Sequence, residues 1–393
     1  LIKVMDMQQE LPARSLGEGH RVINGVAGSG KTLILGYRCL YLAQMLDKPI
    51  LVLCYNITLA ARLRELIEDR GIGDKVNVYH FHDWCGEQLK TYHVPRPGPG
   101  DRYVERLVET VINAAERGQI PRAQYGAVMI DEGHDFEESW LALITTMVDP
   151  ETNSLLLLYD DAQSIYSKKS ELGFSLSSVG IQARGRTTVL KLNYRNTDAI
   201  LTFAYHFARK YLRPTDTPDD HVPMVEPSSA GRHGPAPVVR VFDSYDVEAR
   251  YVANLFKRMH EEQQIPWKEM CVTYRNRWMG AKLAQALRDQ DMPLQWLDTT
   301  SAKRRFRPSH DSVKLMTMHS SKGLEFPVVA VTGVGFMPAD SQDPAADAKL
   351  LYVAMTRSTD KLLVTGQRES RFVRELMSDA RRVTQEAEAK AAG

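Results

Sequence analysis

The sequence predicts an α/β protein built as two parallel-sheet lobes, and three observations predict it. Apolar runs of strand length alternate with helix-length segments along most of the 393 residues, the pattern of parallel sheets joined by helical crossovers. The alternation runs twice, with a join near residue 190 and a Pro-, Asp-, Ser- and Gly-rich tract over 213–237 that reads as a long surface loop. The first strand leads through Gly25-Val26-Ala27-Gly28-Ser29-Gly30-Lys31-Thr32 straight into a helix, the order that a phosphate-cradling turn requires.

Each element follows from its pattern. Strands are predicted at 20–25, 49–55, 127–131, 154–160 and 187–193, where apolar residues run continuously as in buried parallel strands. The segment 31–46 presents one apolar face and reads as a helix opened by the glycine turn, and "HVPRPGPGD" (93–101) is a loop before a second helical run at 102–118. The later series places strands at 238–243, 270–274, 294–298, 313–318, 326–333 and 361–366, with helices through 247–262 and 280–290 between them. The tail, 381–393, reads as a polar helix or frayed end. The first lobe is assigned to 1–189 and the second to 190–393.

Composition narrows the class. At 43% hydrophobic and 25% charged residues the chain is that of an ordinary soluble globular protein. A net charge of +1 announces no global basic field, although a local basic groove is compatible with it. Cys39, Cys54, Cys85 and Cys271 show no metal-ligand spacing and sit among apolar residues, so reduced packing thiols in a cytoplasmic protein are expected. No apolar run reaches the roughly 18 residues of a membrane span. The chain starts at Leu1 and moves quickly into motifs, which suggests a fused or partner domain upstream.

The glycine turn predicts nucleotide binding. Gly25, Ala27, Gly28, Ser29 and Gly30 would aim backbone N–H groups at phosphate oxygens, Lys31 would reach the β and γ phosphates, and Thr32 would ligate Mg²⁺. About 100 residues on, "AVMIDEGHDF" ends an apolar strand with Asp131, placed to hold Mg²⁺, and Glu132, placed to polarise an attacking water. An acid pair at a strand end also serves simply to cap a helix, but seldom downstream of an intact phosphate loop.

DEGHD resembles the DExQD box of UvrD/Rep-type superfamily 1 helicases, and that family's other boxes follow in order. "LYDDAQSIY" (158–166) resembles the third, which implies Gln163 as γ-phosphate sensor; "LKLNYRN" (190–196) resembles the fourth, with Tyr194 stacking on the base and Arg195 reaching the γ-phosphate. "VKLMTMHSSKGLEFPVV" (313–329) is similar to the fifth, implying a nucleotide-binding turn at Gly323 and a ribose contact at Glu325; "LLYVAMTRSTDKL" (350–362) matches the sixth, with Arg357 as a second arginine finger. "MDMQQE" resembles the motif that reads adenine, and Gln9 is the residue assigned. The resemblance implies two RecA-like lobes forming a P-loop NTPase helicase core, with ATP and Mg²⁺ as cofactors.

Arginines suit charge spread over a transferring phosphoryl group. With Arg195 and Arg357 on one lobe and Lys31, Thr32, Asp131 and Glu132 on the other, closure becomes conditional on the γ-phosphate. The resemblance also implies a single-stranded or tailed DNA track across both lobes. Phe81 and His82 in "VYHFHDWC", Tyr166, His319 and, loosely, Asn56 in "CYNITLAARL" are its candidates, with Phe81 and Tyr166 open to a core role instead. "SAKRRFRPSH" (301–310) sets Arg304 and Arg305 with Lys303 and Arg307 around Phe306, a basic loop suited to phosphates.

The chain departs from the family where large insertions usually stand. It has about 45 residues between His82 and the Asp131 strand and about 115 between Arg195 and Val313, so both accessory subdomains read as absent or vestigial. His134 replaces the usual glutamine, and Ser167-Lys168-Lys169 stands where a stacking tryptophan is frequent. Two functions remain open at this point: an ATP-dependent DNA translocase or helicase of 3′→5′ polarity, and a nucleotide-gated module that signals to a nuclease or other partner. Neither reading specifies an oligomeric state.

Overall fold

The computed structural model describes residues 19–160, 174–211, 228–339 and 344–392. They form two compact units, one reaching Lys191 and the other starting at Leu192.

The first unit is a parallel sheet of six strands: β1 (His20–Gly25), β2 (Ile50–Cys54), β3 (Val76–His80), β4 (Ala127–Asp131), β5 (Ser154–Asp160) and β6 (Thr187–Leu190), in the order β3-β2-β4-β5-β1-β6. Strand periodicity sorts its side chains. Val22, Leu51, Leu53, Val128, Ile130 and Leu157 face a layer built by α3 (Phe81–Thr91), α4 (Tyr103–Glu116) and α5 (Glu138–Thr145). Ile23, Ile50, Val52, Cys54 and Met129 face α1 (Lys31–Met45) and α2 (Ile57–Glu68). With helices on both faces, β2 and β4 are buried at every residue, which is why they read as unbroken apolar runs.

The second unit holds another parallel six-stranded sheet: β9 (Val238–Val241), β10 (Met270–Tyr274), β11 (Leu294–Trp296), β12 (Val313–Thr317), β13 (Phe326–Val331) and β14 (Ser358–Gly366), in the order β11-β12-β10-β13-β14-β9. Its helices are α6 (Asp198–Ala208), α7 (Tyr245–Gln263), α8 (Arg277–Arg288), α9 (Thr300–Arg304), α10 (Pro344–Met355) and α11 (Arg371–Ala392). A short parallel pair, β7 (Leu192–Asn193) with β8 (Ser228–Ser229), completes it. The expectation of two parallel-sheet α/β lobes is met.

Three local expectations change. The run 187–193 is not one strand: β6 joins β1 in the first sheet, β7 pairs with β8, and the unit boundary falls between them. Asn193 ends β7 because its Oδ1 accepts from the backbone N–H of Arg195 and Asn196, both at 2.9 Å, turning the chain toward α6. The strand β3 goes unread in the sequence, since Asn77 and His80 interrupt its apolar character at a sheet edge. The tail's helix begins earlier than expected: 381–392 is helical and, over 381–386, exposed except at Val383, as a polar helix reads, but it continues α11 from Arg371, where Phe372, Val373 and Leu376 are buried and Phe372 meets Phe207 of α6 edge-to-face at 5.0 Å. The Pro-rich tract lies largely outside the described residues, and 230–237 carries no helix or strand.

All four cysteines are free and buried, as expected of packing thiols, and burial pushes Cys39 up to about 12. No described helix is long and apolar enough to cross a membrane.

One buried acid ties α7 to the ends of the second sheet. Glu248 is fully buried, and its Oε1 accepts from the Gly333 N–H at 2.7 Å and the Thr365 hydroxyl at 2.6 Å. Burial raises its pKa from 4.5 to about 7 despite both hydrogen bonds. A raised carboxylate pKa means the folded state favours the neutral form. Its contribution, roughly 3 kcal/mol at 1.36 kcal/mol per unit, is fully present below about pH 4.5 and lost as pH rises through about 7. Thermal unfolding followed from pH 4.5 to 8.5 should therefore show a stability loss that Glu248→Gln flattens; an unchanged pH slope in that variant would contradict the assignment.

Candidate active site

The carboxyl ends of parallel strands are where ligands of such sheets bind. At the end of β1 the chain turns through Gly28 (φ 79°) and Gly30 (φ 89°), both left-handed, and α1 begins at Lys31. A side chain at Gly25 would press on Ser29 Oγ at 2.7 Å and Leu190 Cβ at 2.9 Å, so the turn stays open only with glycine there. Lys31 is buried inside this turn, donating to the carbonyls of Gly25 at 2.7 Å and Val26 at 3.1 Å. Its ammonium therefore lies within the loop whose N–H groups a phosphate would engage.

Asp131 ends β4, and the Thr32 hydroxyl at the start of α1 donates to its Oδ2 at 3.4 Å. Burial and the adjacent Glu132 raise the Asp131 pKa to about 7, against the opposing pull of Lys31 and Thr32. A hydroxyl and a carboxylate converging on one point supply the hard oxygen donors that Mg²⁺ prefers. The buried cation at Lys31 and the glycine-lined cradle fit the phosphates of a nucleotide.

Glu132 adopts a left-handed backbone (φ 56°), unusual for a residue with a side chain. Its N–H donates to Asp131 Oδ1 at 3.0 Å, and its Oε2 lies 3.3 Å from His134 Nε2. Gly133 follows because a Cβ there would meet Leu157 Cδ1 at 2.4 Å. The sequence-predicted Lys31, Thr32, Asp131 and Glu132 thus gather at one end of one sheet, with Ala27 and Ser29 buried in the same turn.

The second unit gathers its own group around the starts of β13 and β14. Arg195 Nε donates to Glu325 Oε2 at 2.8 Å, just before β13. Arg357, just before β14, is buried and donates to Val353 O (2.9 Å), Leu324 O (3.3 Å) and Thr356 Oγ1 (3.2 Å). Asn196 locks the arrangement by donating to the carbonyls of Thr356 at 3.0 Å and Ser358 at 2.5 Å. Tyr194 is half-buried beside Arg195, and Gly323 turns left-handed (φ 78°) two residues before Glu325. Arg195 and Glu325, assigned separate nucleotide contacts from sequence, are partners of each other here. Gln9, Gln163 and Tyr166 lie outside the described residues.

The polymer-contact candidates fare unevenly. Phe81 is fully buried among Trp84, Phe136 and Trp140, its ring centroid 4.9 Å from that of Trp140, and presents no face to a base; its expected stacking role is corrected to a core role. Asn56 spends its Oδ1 capping α2, accepting from Thr58 N at 3.0 Å and Thr58 Oγ1 at 2.7 Å. His82 is pushed down to about 4 by burial and His80, so it is neutral at pH 7 and brings no charge to a phosphate. The exposed ring in this region is Tyr55, which sequence reasoning missed. It is 41% exposed and stacked 6.0 Å from Trp140, one residue after the apolar run of β2; that position was its signal. In the second unit His319, Arg304 and Arg305 are exposed. Phe306 is buried beneath Lys314, so the basic loop presents cations without an aromatic.

Comparison with known proteins matches both halves of the chain. Residues 8–169 match the family described as AAA domain, and residues 188–305 and 300–369 match the UvrD-like helicase C-terminal domain. The chain is 25% identical over 248 residues to a probable DNA helicase of Mycoplasma pneumoniae, covering 60% of this chain and 42% of that protein. It is 30% identical over 102 residues to the ATP-dependent DNA helicase PcrA of Bacillus subtilis (21% of this chain, 14% of that one). It is 41% identical over 73 residues to the ATP-dependent DNA helicase Rep of Escherichia coli (17% and 11%). The aligned stretch thus spans less than half the length of these relatives. A solved C-terminal domain of a possible DNA helicase from Lactobacillus plantarum WCFS1 is similar over 47% of this chain and 93% of that one, at 17% identity and a TM-score of 0.35.

Lys31→Ala removes the only side-chain cation described inside the glycine turn. It should lower affinity for a fluorescent ATP analogue by at least about 100-fold, the scale of a lost, largely desolvated charge pair. Retained affinity would show that the turn does not hold phosphate.

Proposed function

The chain is a UvrD/Rep-type superfamily 1 protein, and we propose that it hydrolyses ATP to translocate along single-stranded DNA, separating strands as it moves. The observation that carries the reading is the convergence of Lys31, Thr32, Asp131 and Glu132 at one sheet end, with Thr32 and Asp131 3.4 Å apart.

The residues divide the work. Lys31 exchanges its contacts with Gly25 and Val26 for phosphate oxygens, while the backbone N–H groups of the glycine turn hold the rest of the anion. Thr32 and Asp131 would hold Mg²⁺, which when bound would neutralise charge on the phosphates. Glu132 orients the attacking water and takes its proton. Arg195 and Arg357 supply positive charge to the γ-phosphate from the second unit, Arg195 trading Glu325 for the nucleotide and Glu325 turning to the ribose. Gln9 and Tyr194 hold the adenine, Gln163 senses the γ-phosphate, and Gly323 permits the turn before Glu325. Release of phosphate removes what both arginines grip, which couples each turnover to a change between the units. Tyr55, His319, Arg304 and Arg305 face the strand. The relatives' names, all DNA helicases, support DNA as the track; a 3′→5′ direction and a cytoplasmic setting rest on the family resemblance.

Single-stranded DNA should raise the ATP turnover of the full chain, and a flat rate across DNA and RNA titrations would end the motor reading. Glu132→Gln should keep ATP affinity within about threefold while cutting turnover by about 10²–10⁴, the range for a lost general base; normal turnover in this variant would remove Glu132 from the role. Duplexes with 3′ or 5′ tails should be separated only in the 3′-tailed form, and the opposite preference would reverse the polarity.

A further inference from the structure

The two ends of the second sheet's strands are chemically different. Arg195, Glu325 and Arg357 cluster where β13 and β14 begin. The opposite end is formed where β9, β10, β12, β13 and β14 finish, and carries Tyr245, Trp278, His319, Phe336 and Arg368 in the connections that follow. Trp278, in the first turn of α8, is 43% exposed. It packs over the core residue Tyr245, which is buried, while much of the indole stays exposed. Its ring stands edge-on to Tyr245 at 5.1 Å and to Phe336 at 5.3 Å, so the indole is braced from two sides while one part stays in water. The Arg368 guanidinium lies 5.7 Å from the Phe336 ring centroid, anchored to Gly335 O at 2.8 Å.

The same end is cationic. Partial desolvation and the charges of Arg275, Lys303 and Lys322, against the opposing pull of Asp347, hold the imidazole of the exposed His319 below its usual range. Arg277, Arg304, Arg305 and Arg368 are exposed in the connections that follow β10, β11 and β14 at this end. The acids Asp246, Asp298 and Asp347 are each paired with a cation, namely Lys282, Arg277 and Arg275, and the exposed acids Asp243 and Glu369 after β9 and β14 are fewer than the cations Lys303, Arg304, Arg305, Lys322 and Arg368 at the same end. A rigid, half-exposed aromatic on a cationic surface matches the chemistry of unpaired bases on a phosphate backbone, because every base offers a π-face and every linkage a charge. A protein partner would gain from the aromatic face but has no need of the surrounding lysines and arginines.

We propose that Trp278, backed by Tyr245 and Phe336, is a base-stacking step for single-stranded DNA on the second unit. It rests on the translocase reading for the identity of the polymer and adds a contact residue to it. Trp278 holds one base against its exposed face, and Arg368, beside Phe336, holds a neighbouring phosphate.

Binding of a fluorescein-labelled oligo-dT to the full chain, read by anisotropy, tests this. Trp278→Ala should weaken binding roughly 5- to 150-fold, the range measured for one stacked base. Trp278→Phe should restore affinity to within about threefold, because a smaller ring still stacks. With unlabelled oligo-dT, tryptophan quenching seen in the wild type should shrink in Trp278→Phe although binding persists, a signature that a purely structural role would not produce. If wild-type protein binds oligo-dT and Trp278→Ala binds it equally well, this inference falls and the translocase reading stands. If the wild-type chain neither binds oligo-dT nor is stimulated by it, the translocase reading falls, and the stacking step with it. Should Trp278→Ala prove unstable, an affinity loss in Trp278→Leu, which keeps apolar bulk without a π-face, supports the proposal and unchanged affinity overturns it.

Discussion

A buried lysine and two buried carboxylates at the ends of β1 and β4 set the terms for the rest of this molecule. Lys31 is one positive charge beside Asp131 and Glu132, so the three groups cannot all be neutralised by one another. The fold absorbs the excess by holding Asp131 near protonation and by parking the ammonium on two backbone carbonyls. Such a state is unfavourable, since uncompensated charge in a desolvated site is costly whichever group carries it. An anion beside Lys31 and a cation beside Asp131 would relieve it, which is the charge pattern of the nucleotide and Mg²⁺ proposed for this site.

The second unit repeats the theme with opposite sign. Arg195 is held by a carboxylate and Arg357 by carbonyl oxygens, each a surrogate for anionic oxygen. Arginine suits such a post because its rigid fork keeps its geometry when acceptors are exchanged.

Much of this was legible in the sequence, for identifiable reasons. Continuous apolar runs at β2 and β4 reveal strands covered on both faces, and the glycine turn identifies the strand that opens the nucleotide site. Asp131 and Glu132 were readable as a strand-end acid pair, and the structure sets them there with Thr32 against Asp131. The aromatics were not readable in the same way. Phe81 and Tyr55 have similar local patterns, and only the packing of Trp84, Phe136 and Trp140 decides that Phe81 turns inward and Tyr55 outward. Trp278 was silent for the same reason: one tryptophan in a helix turn looks like core until Tyr245 and Met279 are seen to fill that space. The strand expected over 187–193 failed because Lys191 hides a change of sheet inside one apolar run. His134 remains a departure from the family box, placed within 3.3 Å of the group it would influence.

Dependence of steady-state ATP turnover on the length of single-stranded DNA distinguishes walking from gating. If each bound chain advances along its strand before falling off, maximal turnover rises with length and then levels as stepping outlasts end effects. A chain that merely closes on ATP when a strand is present turns over equally fast on every strand long enough to fill its site, and that flat profile would contradict translocation.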